Sequence, residues 1–357
     1  MRPARACIDL AALRHNYHYA KSLAPHSKAT AIIKANAYGH GAVVVARALC
    51  DADAFGVACI EEALELREAG IKQPIVLLEG VFTPDELVLA AQYQLMIAVH
   101  CREHLLWLEQ AKLSNRLSVW LKIDTGMHRL GFSPEQVPST FARLQACKQV
   151  KDITFMTHFA RADELDSAAT TLQIKQFNVA TQGLSAPVSI ANSPATLGWP
   201  STRLDWIRPG IMLYGASPFD DSLEVSKVLK PVMTLESALI AVRELKAGES
   251  IGYGARFTCS EPTRVGVVAM GYADGYPRHA VDGTPVVVKG IRTRIIGRVS
   301  MDMLTVDLTA IPDATIGDRV ELWGKQVLAN EVAAHSQTIA YTLFTGITRR
   351  VPLVYSN

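Results

Sequence analysis

The sequence lacks the features that mark secreted, membrane-spanning and thiol-dependent proteins. Its 6 cysteines among 357 residues form no Cys-x-x-Cys pair, which excludes paired-thiol zinc centres and thioredoxin-like redox sites. No apolar run approaches the roughly 18 residues of a membrane helix, and Asp9 interrupts the apolar stretch after Arg2 and Arg5, so we expect no export signal. Unpaired thiols and the missing signal together predict a cytoplasmic protein.

An excess of charge of one sign is also absent. The chain has 36 lysines and arginines against 34 aspartates and glutamates, a formal net charge of +2. This balance provides no basic field that would attract nucleic acid, and neither nucleic acid nor a membrane is expected as a partner. Because 49% of the residues are hydrophobic, the composition is that of a folded globular protein, and a small-molecule ligand is favoured.

Short apolar segments rich in β-branched residues alternate with amphipathic helical patterns between residues 29 and 215. Continuous hydrophobicity of this kind is typical of strands that are covered on both faces. The predicted parallel strands are residues 29–35, 54–58, 74–80, 94–100, 117–124, 152–158, 188–192 and 206–215. Eight such units predict the α/β fold class, with a TIM-type (β/α)8 barrel.

The pattern changes after residue 215. From there β-branched runs follow one another, separated by glycine and proline turns, with one helical pattern near residues 329–336. This texture predicts a mostly antiparallel β domain. We expect residues 10–230 to form the barrel, and residues 231–357, together with residues 1–9, to form the second domain.

Lys34 ends the first predicted barrel strand, where AIIK leads into ANAYGHG. Barrel enzymes carry their reactive groups at the carboxyl ends of the strands. A lysine amine at that position can condense with a carbonyl group to form a Schiff base. For this feature taken alone, a solvated lysine at the barrel rim is the alternative.

The loops after the last two predicted strands have the composition of a phosphate site. Asn192 and Ser193 follow the seventh strand, while Arg208, Gly210 and Ile211 lie in the eighth. Barrels of this type often bind phosphate there, through backbone N–H groups and small hydroxyls. A Schiff-base lysine and a phosphate site in one barrel mouth together indicate pyridoxal phosphate (PLP) as cofactor.

Seven strings spread in order over the whole chain resemble those of bacterial alanine racemases. They are AIIKANAYGHG (31–41), KIDTGMHRLG (122–131), THFARADE (157–164), WIRPGIMLYG (206–215), IGYGARF (251–257), GYADGYPR (271–278) and VSMDM (299–303). The resemblance implies a PLP-dependent isomerase that interconverts L-alanine and D-alanine, supplying D-alanine for peptidoglycan or opening it to catabolism. Lys34 is then the lysine that binds PLP, and Tyr38 donates a hydrogen bond to the phosphate.

The resemblance also implies a two-base mechanism. Direct racemisation needs one proton-transferring group on each face of Cα. Lys34 would serve the D face and Tyr253 the L face. A free phenol is a weak base at neutral pH, so a neighbour must assist it, and the resemblance identifies His158. For His158 taken outside its motif, an ordinary core histidine is the alternative.

Arg208 matches the family residue that faces the pyridine nitrogen of PLP. Arginine cannot accept a proton and stays cationic, so this nitrogen should remain unprotonated and PLP should be a weaker electron sink. A weaker sink favours reprotonation over transamination or decarboxylation. By the resemblance, Arg129 contacts the phenolic oxygen of PLP and approaches the substrate carboxylate. Lys122 matches a lysine that many relatives carry as a carbamate, whose negative charge holds this arginine.

The predicted β domain carries the remaining matched residues. Met301 and Asp302 match the pair that meets the substrate carboxylate, while Tyr272 and Arg278 match residues at the active-site entrance. In the family these residues and Tyr253 complete the site of the other subunit. The resemblance therefore implies a homodimer with shared active sites and a small amino acid as the other partner.

Three positions depart from the family pattern. Thr345 and Arg349 stand where relatives often have a cysteine and a phosphate-contacting tyrosine. Ser189 stands where some relatives carry a histidine that orients the pyridine-facing arginine. The phosphate contacts and the anchor of Arg208 are therefore open at this point.

Two other functions and one other type of site are compatible with parts of the sequence. An amino-acid racemase acting on serine, lysine or arginine is an alternative, because pocket size decides side-chain tolerance. A PLP-homeostasis barrel protein without catalysis is another, but such relatives lack the C-terminal β domain. We predict no metal centre: His100 and His104 have ligand spacing on a helix, yet no acidic third ligand is near, and a solvated helix face is favoured.

Overall fold

The computed structural model describes residues 2–219 and 224–357, and it contains a closed barrel of parallel strands. After a first strand, β1 (Arg5–Asp9), the barrel strands are β2 (Lys28–Ile32), β3 (Ala54–Val57), β4 (Ile75–Leu77), β5 (Met96–Val99), β6 (Leu117–Lys122), β7 (Val150–Met156), β8 (Val188–Ala191) and β9 (Trp206–Ile207). β2 pairs with both β3 and β9, which closes the barrel. The predicted fold class is confirmed.

Helices cover the outside of the barrel, which explains the continuous hydrophobicity of its strands. Every residue of β3 and β4 is buried. The helical segments of this half of the chain are α1 (Leu10–Leu23), α2 (Lys34–Gly39), α3 (Ala42–Ala48), α4 (Ile60–Glu68), α5 (Glu86–Gln92), α6 (Arg102–Gln110), α7 (Val137–Ala146), α8 (Ala168–Ala180) and α9 (Ser193–Gly198). Of these, α2 is a left-handed turn at the barrel mouth and not a regular helix. Within the described ranges, no helix is both long and apolar enough to cross a membrane.

The eighth barrel strand is shorter than predicted. β9 ends at Ile207, soon before Pro209, which has no N–H group to continue the ladder. The apolar run that follows forms a 3-10 helix, Ile211–Tyr214, instead of a strand. Its side chains are buried all the same, so the hydrophobic pattern correctly indicated burial but not the backbone conformation.

The rest of the chain forms a mostly antiparallel sheet, as predicted. Its strands are β10 (Met233–Leu245), β11 (Ser250–Ile251), β12 (Phe257–Thr258), β13 (Thr263–Val268), β14 (Pro285–Val288), β15 (Ile291–Arg294), β16 (Leu304–Asp307), β17 (Arg319–Trp323) and β18 (Leu353–Ser356). The main order is β15-β14-β17-β10-β1-β18, with β13 beside β10 and β16 beside β13, while β11 and β12 pair separately. Because β1 lies between β10 and β18, both ends of the chain share this sheet.

Two helices follow β17 and connect the sheet with the barrel. α10 (Ala329–His335) was predicted, whereas α11 (Ala340–Thr345) was not. α11 reaches the loop after β2, where a Cβ atom placed on Gly39 would lie 2.2 Å from the carbonyl oxygen of Phe344. Gly39 has a φ of 78°, so only glycine fits both the conformation and the close approach. This contact places α11 beside the barrel mouth.

Candidate active site

Lys34 lies directly after β2, at the mouth of the barrel, and begins an uncommon backbone turn. The residues from Ala35 to Tyr38 have φ of 52–53°, which is the left-handed helical region. For a residue other than glycine, this conformation costs about 1–2 kcal/mol of free energy. A run of such residues persists only where its surroundings hold it, and strain of this kind is concentrated at functional sites.

Two side chains hold the turn. Glu62 on α4 accepts a hydrogen bond from the N–H group of Ala35 through Oε1, at 2.6 Å. His40 is completely buried, which lowers its pKa to about 4, and its Nδ1 atom lies 2.8 Å from the carbonyl oxygen of Tyr38. The half-buried Lys34 side chain therefore leaves from a fixed backbone. The role of Glu62 was missed, because its partner lies 27 residues away and leaves no local sequence pattern.

Four of the predicted cofactor residues come together into an anion cradle. Ser193 Oγ accepts the N–H groups of Gly210, at 2.8 Å, and Met212, at 3.4 Å, so its hydroxyl hydrogen is left to donate. A Cβ atom on Gly210 would lie 2.8 Å from Tyr38 Oη, so glycine opens the backbone to this phenol. Ile211 begins the 3-10 helix, and the first N–H groups of a helix lack intrahelical acceptors. This donor set suits a phosphate.

Asn192 has a structural role at the edge of this cradle. Its Oδ1 atom accepts the N–H group of Ala195 at 3.1 Å and caps α9, and its Nδ2 atom lies 3.5 Å from the carbonyl oxygen of Phe159. Both ends of the amide are thus engaged. Asn192 therefore positions the loop that carries Ser193.

Tyr341 on α11 is a neighbour of the cradle that was not predicted. Its ring centroid lies 5.8 Å from that of Tyr38, and burial raises its pKa. Thr345, one of the departures from the family pattern, donates to the carbonyl oxygen of Tyr341 at 2.8 Å. Arg349 is exposed. The second phenol near the cradle is therefore supplied by α11 and not by the position of Arg349.

Arg208 is buried and is held by neutral groups. Its Nη1 atom donates to the carbonyl oxygen of Ser189 at 2.6 Å and to Ser189 Oγ at 2.8 Å, and Nη2 donates to the carbonyl oxygen of Thr157 at 2.7 Å. Ser189 is thus the anchor that takes the place of the family histidine. Burial lowers the pKa of Arg208 to about 10, which leaves it cationic at pH 7. No acceptor among the described residues pairs with its Nε–H group.

Further cations surround Arg208. Lys122 is only 7% exposed, and its pKa is lowered to about 8, chiefly by burial and then by the charges of Arg208, Arg129 and Lys34. The pKa of His158 is held well below its usual value by burial and by the same group of cations. His158 is therefore neutral at pH 7. Lys122, Arg129 and His158 also line one small cavity, so the predicted residues do converge.

Four of the residues predicted from the β domain, Tyr272, Arg278, Met301 and Asp302, lie on two loops that are locked together. The N–H group of Tyr272 donates to the carbonyl oxygen of Ser300, and that of Ala273 donates to the carbonyl oxygen of Met301, both at 3.0 Å. A Cβ atom on Gly271 would lie 2.3 Å from the Met301 oxygen, so the two backbones touch. The N–H group of Met301 has no acceptor among the described residues. It remains available to a carboxylate.

Ion pairs from both ends of the chain hold the loop that contains Asp302. Arg350 Nη2 lies 2.7 Å from Asp302 Oδ1, and Arg350 Nε lies 3.2 Å from Asp274 Oδ1. Arg2 Nη2 lies 2.7 Å from the other oxygen of Asp274, whose side chain is fully buried. Arg2, Asp274 and Arg350 were not predicted, since the pairs join residues 48 to 272 positions apart.

Within a single subunit, hydrogen bonds and ion pairs between described residues do not link these loops to Lys34 at the barrel mouth. Arg278 lies over the ring of Tyr272, with its Cζ atom 5.9 Å from the centroid, so the two predicted entrance residues meet. Tyr253 is 69% exposed and Met301 is 52% exposed. No hydrogen bond or ion pair between described residues links Tyr253, Tyr272 or Met301 to Lys34.

The prediction of a solvated helix face for His100 and His104 is wrong. His104 is only 4% exposed, and His100 is half-buried with its Nε2 atom 3.0 Å from the carbonyl oxygen of Glu79. The error arose because α6 packs its first turn against the barrel rim. The sequence at the start of α6 is polar, and this polarity led to the prediction that the first turn faces solvent.

Known proteins match this chain over its full length. Family models described as the N-terminal and C-terminal domains of alanine racemase match residues 8–218 and 232–355. An alanine racemase of Pseudomonas entomophila is 60% identical over 354 residues, which cover 99% of each chain. A catabolic alanine racemase of Pseudomonas putida is 59% identical over 99% of each chain.

A solved structure gives the same result. The biosynthetic alanine racemase of Pseudomonas aeruginosa superposes with a TM-score of 0.97 at 47% identity, covering 100% of each chain. The two family models together span nearly the whole sequence, and the barrel and the sheet occur in the same arrangement. The chain therefore belongs to the alanine racemase family of isomerases.

Proposed function

We propose that the protein racemises alanine with PLP as cofactor and that its active form is a homodimer. The observation that carries the proposal is the convergence of three groups at one barrel mouth. These are the lysine amine after β2, the anion cradle around Gly210 and Ser193, and the buried guanidinium of Arg208. Amine, phosphate donors and ring-nitrogen partner are the groups that PLP requires from a protein.

The unpartnered donors fit the cofactor. Ser193, Ile211 and Tyr38 would bind the phosphate, Arg208 would donate from Nε to the pyridine nitrogen, and Arg129 would approach the phenolic oxygen. When it is bound, PLP accepts into its ring the electron pair left on the substrate Cα atom after proton removal. Because Arg208 holds no proton that it can give up near pH 7, the ring nitrogen stays unprotonated and the cofactor remains a moderate sink.

Two groups would move the proton at Cα. The amine of Lys34 would act on the D face, and Tyr253 of the partner subunit on the L face. The exposed position of Tyr253, away from the Lys34 of its own chain, supports a role in another subunit. His158 is a neutral imidazole at pH 7, and its Nδ1 atom lies 3.5 Å from Arg208 Nη2. Because an arginine can only donate, the ring proton lies on Nε2, which can donate a hydrogen bond to the phenol oxygen of Tyr253 and stabilise its deprotonated, basic form.

Exposed apolar side chains on these two loops and on the turn that begins at Tyr253 support the homodimer. Tyr253, Met301, Met303 and Tyr272 are all exposed, between 37% and 69%. Apolar side chains grouped on loops that also carry polar recognition groups are typical of an interaction surface. In a twofold dimer, Met301 and Asp302 would meet the carboxylate of the alanine held by the partner's barrel.

A carbamate formed on the Lys122 side chain would replace its positive charge by a negative charge that faces Arg129. The reaction joins the neutral amine nitrogen to the carbon of CO2, and one proton is released to solvent. Lys122 suits this reaction because its pKa of about 8 leaves a substantial neutral fraction near pH 7 to 8. The product carboxylate would pair with Arg129, which lines the same cavity.

A catabolic role is the finer proposal for metabolism. The chain is 59% identical to a relative named catabolic and 47% identical to one named biosynthetic. The higher identity supports opening D-alanine to catabolism over supplying it for peptidoglycan. Growth of a deletion strain on D-alanine as sole carbon source tests this role. The catabolic role predicts that the deletion strain grows poorly or not at all. The biosynthetic role predicts unchanged growth, because external D-alanine is present.

Replacing Lys34 by alanine tests the function as a whole. Lys34→Ala removes the amine that the proposal assigns to PLP, so borohydride should no longer fix PLP to the protein and racemisation should fall to background. Lys28→Ala is the matched control, because Lys28 is exposed at the amino end of the same strand. Covalent cofactor mapped by peptide mass to any lysine other than Lys34 would overturn the assignment.

Replacing Tyr253 by phenylalanine tests the division between the two bases. Loss of one acid–base group typically slows the step it serves by about 10² to 10⁴-fold. Tyr253→Phe should slow deuterium exchange at Cα of L-alanine by that amount and leave exchange from D-alanine much less affected. Tyr93→Phe, which removes a phenol from the barrel exterior, is the control. Equal losses for both enantiomers would contradict the two-base assignment.

Labelled bicarbonate tests the modification of Lys122. The holoenzyme should show a carbamate signal in 13C NMR after equilibration with 13C-bicarbonate, absent in Lys122→Met and kept in Lys148→Met, which alters an exposed lysine. Acidification from pH 8 to pH 6 should diminish the signal, since protonation of an amine with a pKa of about 8 removes the reactive form. A pH-independent signal, or one that persists in Lys122→Met, would place the label elsewhere.

A further inference from the structure

Three side chains with metal-binding atoms meet at the rim of the barrel, outside the site described above. His100 follows β5, Cys101 precedes the first residue of α6, and His104 lies in its first turn. One ligand atom from each residue lies within 4.8 Å of the other two. The cluster has no part in the racemisation chemistry proposed here.

His100 already has the arrangement of a metal-bound histidine. Its Nε2 atom lies 3.0 Å from the carbonyl oxygen of Glu79, and since a carbonyl can only accept, Nε2 carries the proton. The lone pair on Nδ1 is then free. Histidine ligands usually donate their second nitrogen to a carbonyl or carboxylate in this way, which fixes the ring and its tautomer.

His104 is a buried imidazole with an unsatisfied nitrogen. It is 4% exposed, and its Nδ1 atom has no hydrogen-bond partner although it is shielded from solvent. Burial, assisted by the neighbouring His100, lowers its pKa to about 4, so the ring is neutral at pH 7. A buried nitrogen without a partner costs about 1–3 kcal/mol, and a metal ion bound at this nitrogen would relieve that cost.

We propose that His100, Cys101 and His104 form a binding site for one zinc-class divalent cation, with water as the fourth ligand. Two imidazoles and a thiolate select a borderline-soft ion such as Zn²⁺ over Mg²⁺ or Ca²⁺, which prefer oxygen ligands. Cys101 and His100 are half-buried, so solvent reaches the fourth position. On binding, the Cys101 thiol releases its proton to solvent and the sulfur forms a bond to the metal.

The distances require a small closure. Zinc bonds of about 2.0–2.3 Å put tetrahedral ligands roughly 3.3–3.8 Å apart, so the present separation of up to 4.8 Å must shrink by about 1 Å. Rotation of the half-buried Cys101 side chain can supply this movement. The backbone of α6 can stay in place, because all three residues belong to one short segment.

The site lies next to the barrel mouth. His100 contacts the backbone of Glu79, and the charge of Lys122 contributes to lowering the pKa of His100, so the two residues are close. A bound dication would add positive charge on this side of Lys122. Metal binding and the cationic mouth are therefore expected to influence each other electrostatically.

Cobalt is the probe that tests the site, since Co²⁺ reports a sulfur ligand by its absorption. Metal-free holoenzyme titrated with CoCl2 should develop, in difference spectra, a sulfur-to-cobalt charge-transfer band that saturates at one equivalent and is displaced by ZnCl2. Cys101→Ser should abolish the band and weaken Zn²⁺ binding by at least tenfold in calorimetry. The cysteine is half-buried and its replacement is nearly isosteric, so folding should persist.

Cys59→Ser is the matched control. Cys59 precedes α4 as Cys101 precedes α6, but no histidine cluster accompanies it. The control should bind both metals like the parent protein. A parent protein that develops no sulfur-to-cobalt band would overturn the proposal, as would a Cys101→Ser variant that titrates like the parent.

Discussion

A buried cation that has no carboxylate partner within residues 2–219 and 224–357 is the constraint on which the candidate active site depends. Arg208 is 3% exposed, and its two terminal nitrogens contact backbone oxygens, one serine hydroxyl and the imidazole of His158. An uncompensated ion in a protein interior costs several kcal/mol. Neutral hydrogen bonds offset only a part of that cost. We therefore interpret the buried guanidinium as pre-organised for a ligand. The remaining Nε–H group fits an unprotonated ring nitrogen.

The rest of the mouth follows from this excess of positive charge. Burial lowers the pKa of His158, and the charges of Arg208, Arg129, Lys122 and Lys34 lower it further. The result is a neutral imidazole, a lysine with a pKa of about 8 and a set of donors that lack acceptors. Phosphate, carboxylate and carbamate groups are the anions that would balance the site. A small zwitterionic substrate on an anionic cofactor has this chemistry.

Much of the fold could be predicted because its signals are periodic and local. Buried strands alternating with amphipathic helices indicated the barrel, and β-branched runs between turns indicated the sheet. The eighth strand was drawn too long because an apolar run does not distinguish a strand from a buried 3-10 turn. The candidate residues were found largely through family strings. Their supports were not: Glu62 and Tyr341 act on residues that are remote in sequence, which no local pattern can reveal.

The chain holds its candidate site residues rigidly, but it does not bring all of them together. The left-handed turn after Lys34 and the ion pairs around Asp274 fix two sets of groups, one on the barrel and one on the sheet. Each set leaves donors or phenols exposed, and no hydrogen bond between described residues joins them. A twofold dimer would bring the two sets together across the substrate. This division supports the proposed dimer, in which the chemistry would take place at an interface between subunits.

The protonation state of the cofactor ring tests the central claim most directly. Apoprotein reconstituted with PLP that carries 15N in its pyridine ring can be measured by 15N NMR, in which protonated and unprotonated ring nitrogens have well-separated shifts. The account predicts an unprotonated nitrogen at pH 7, because Arg208 stays cationic beside it. A pyridinium shift at that pH would contradict the role assigned to Arg208.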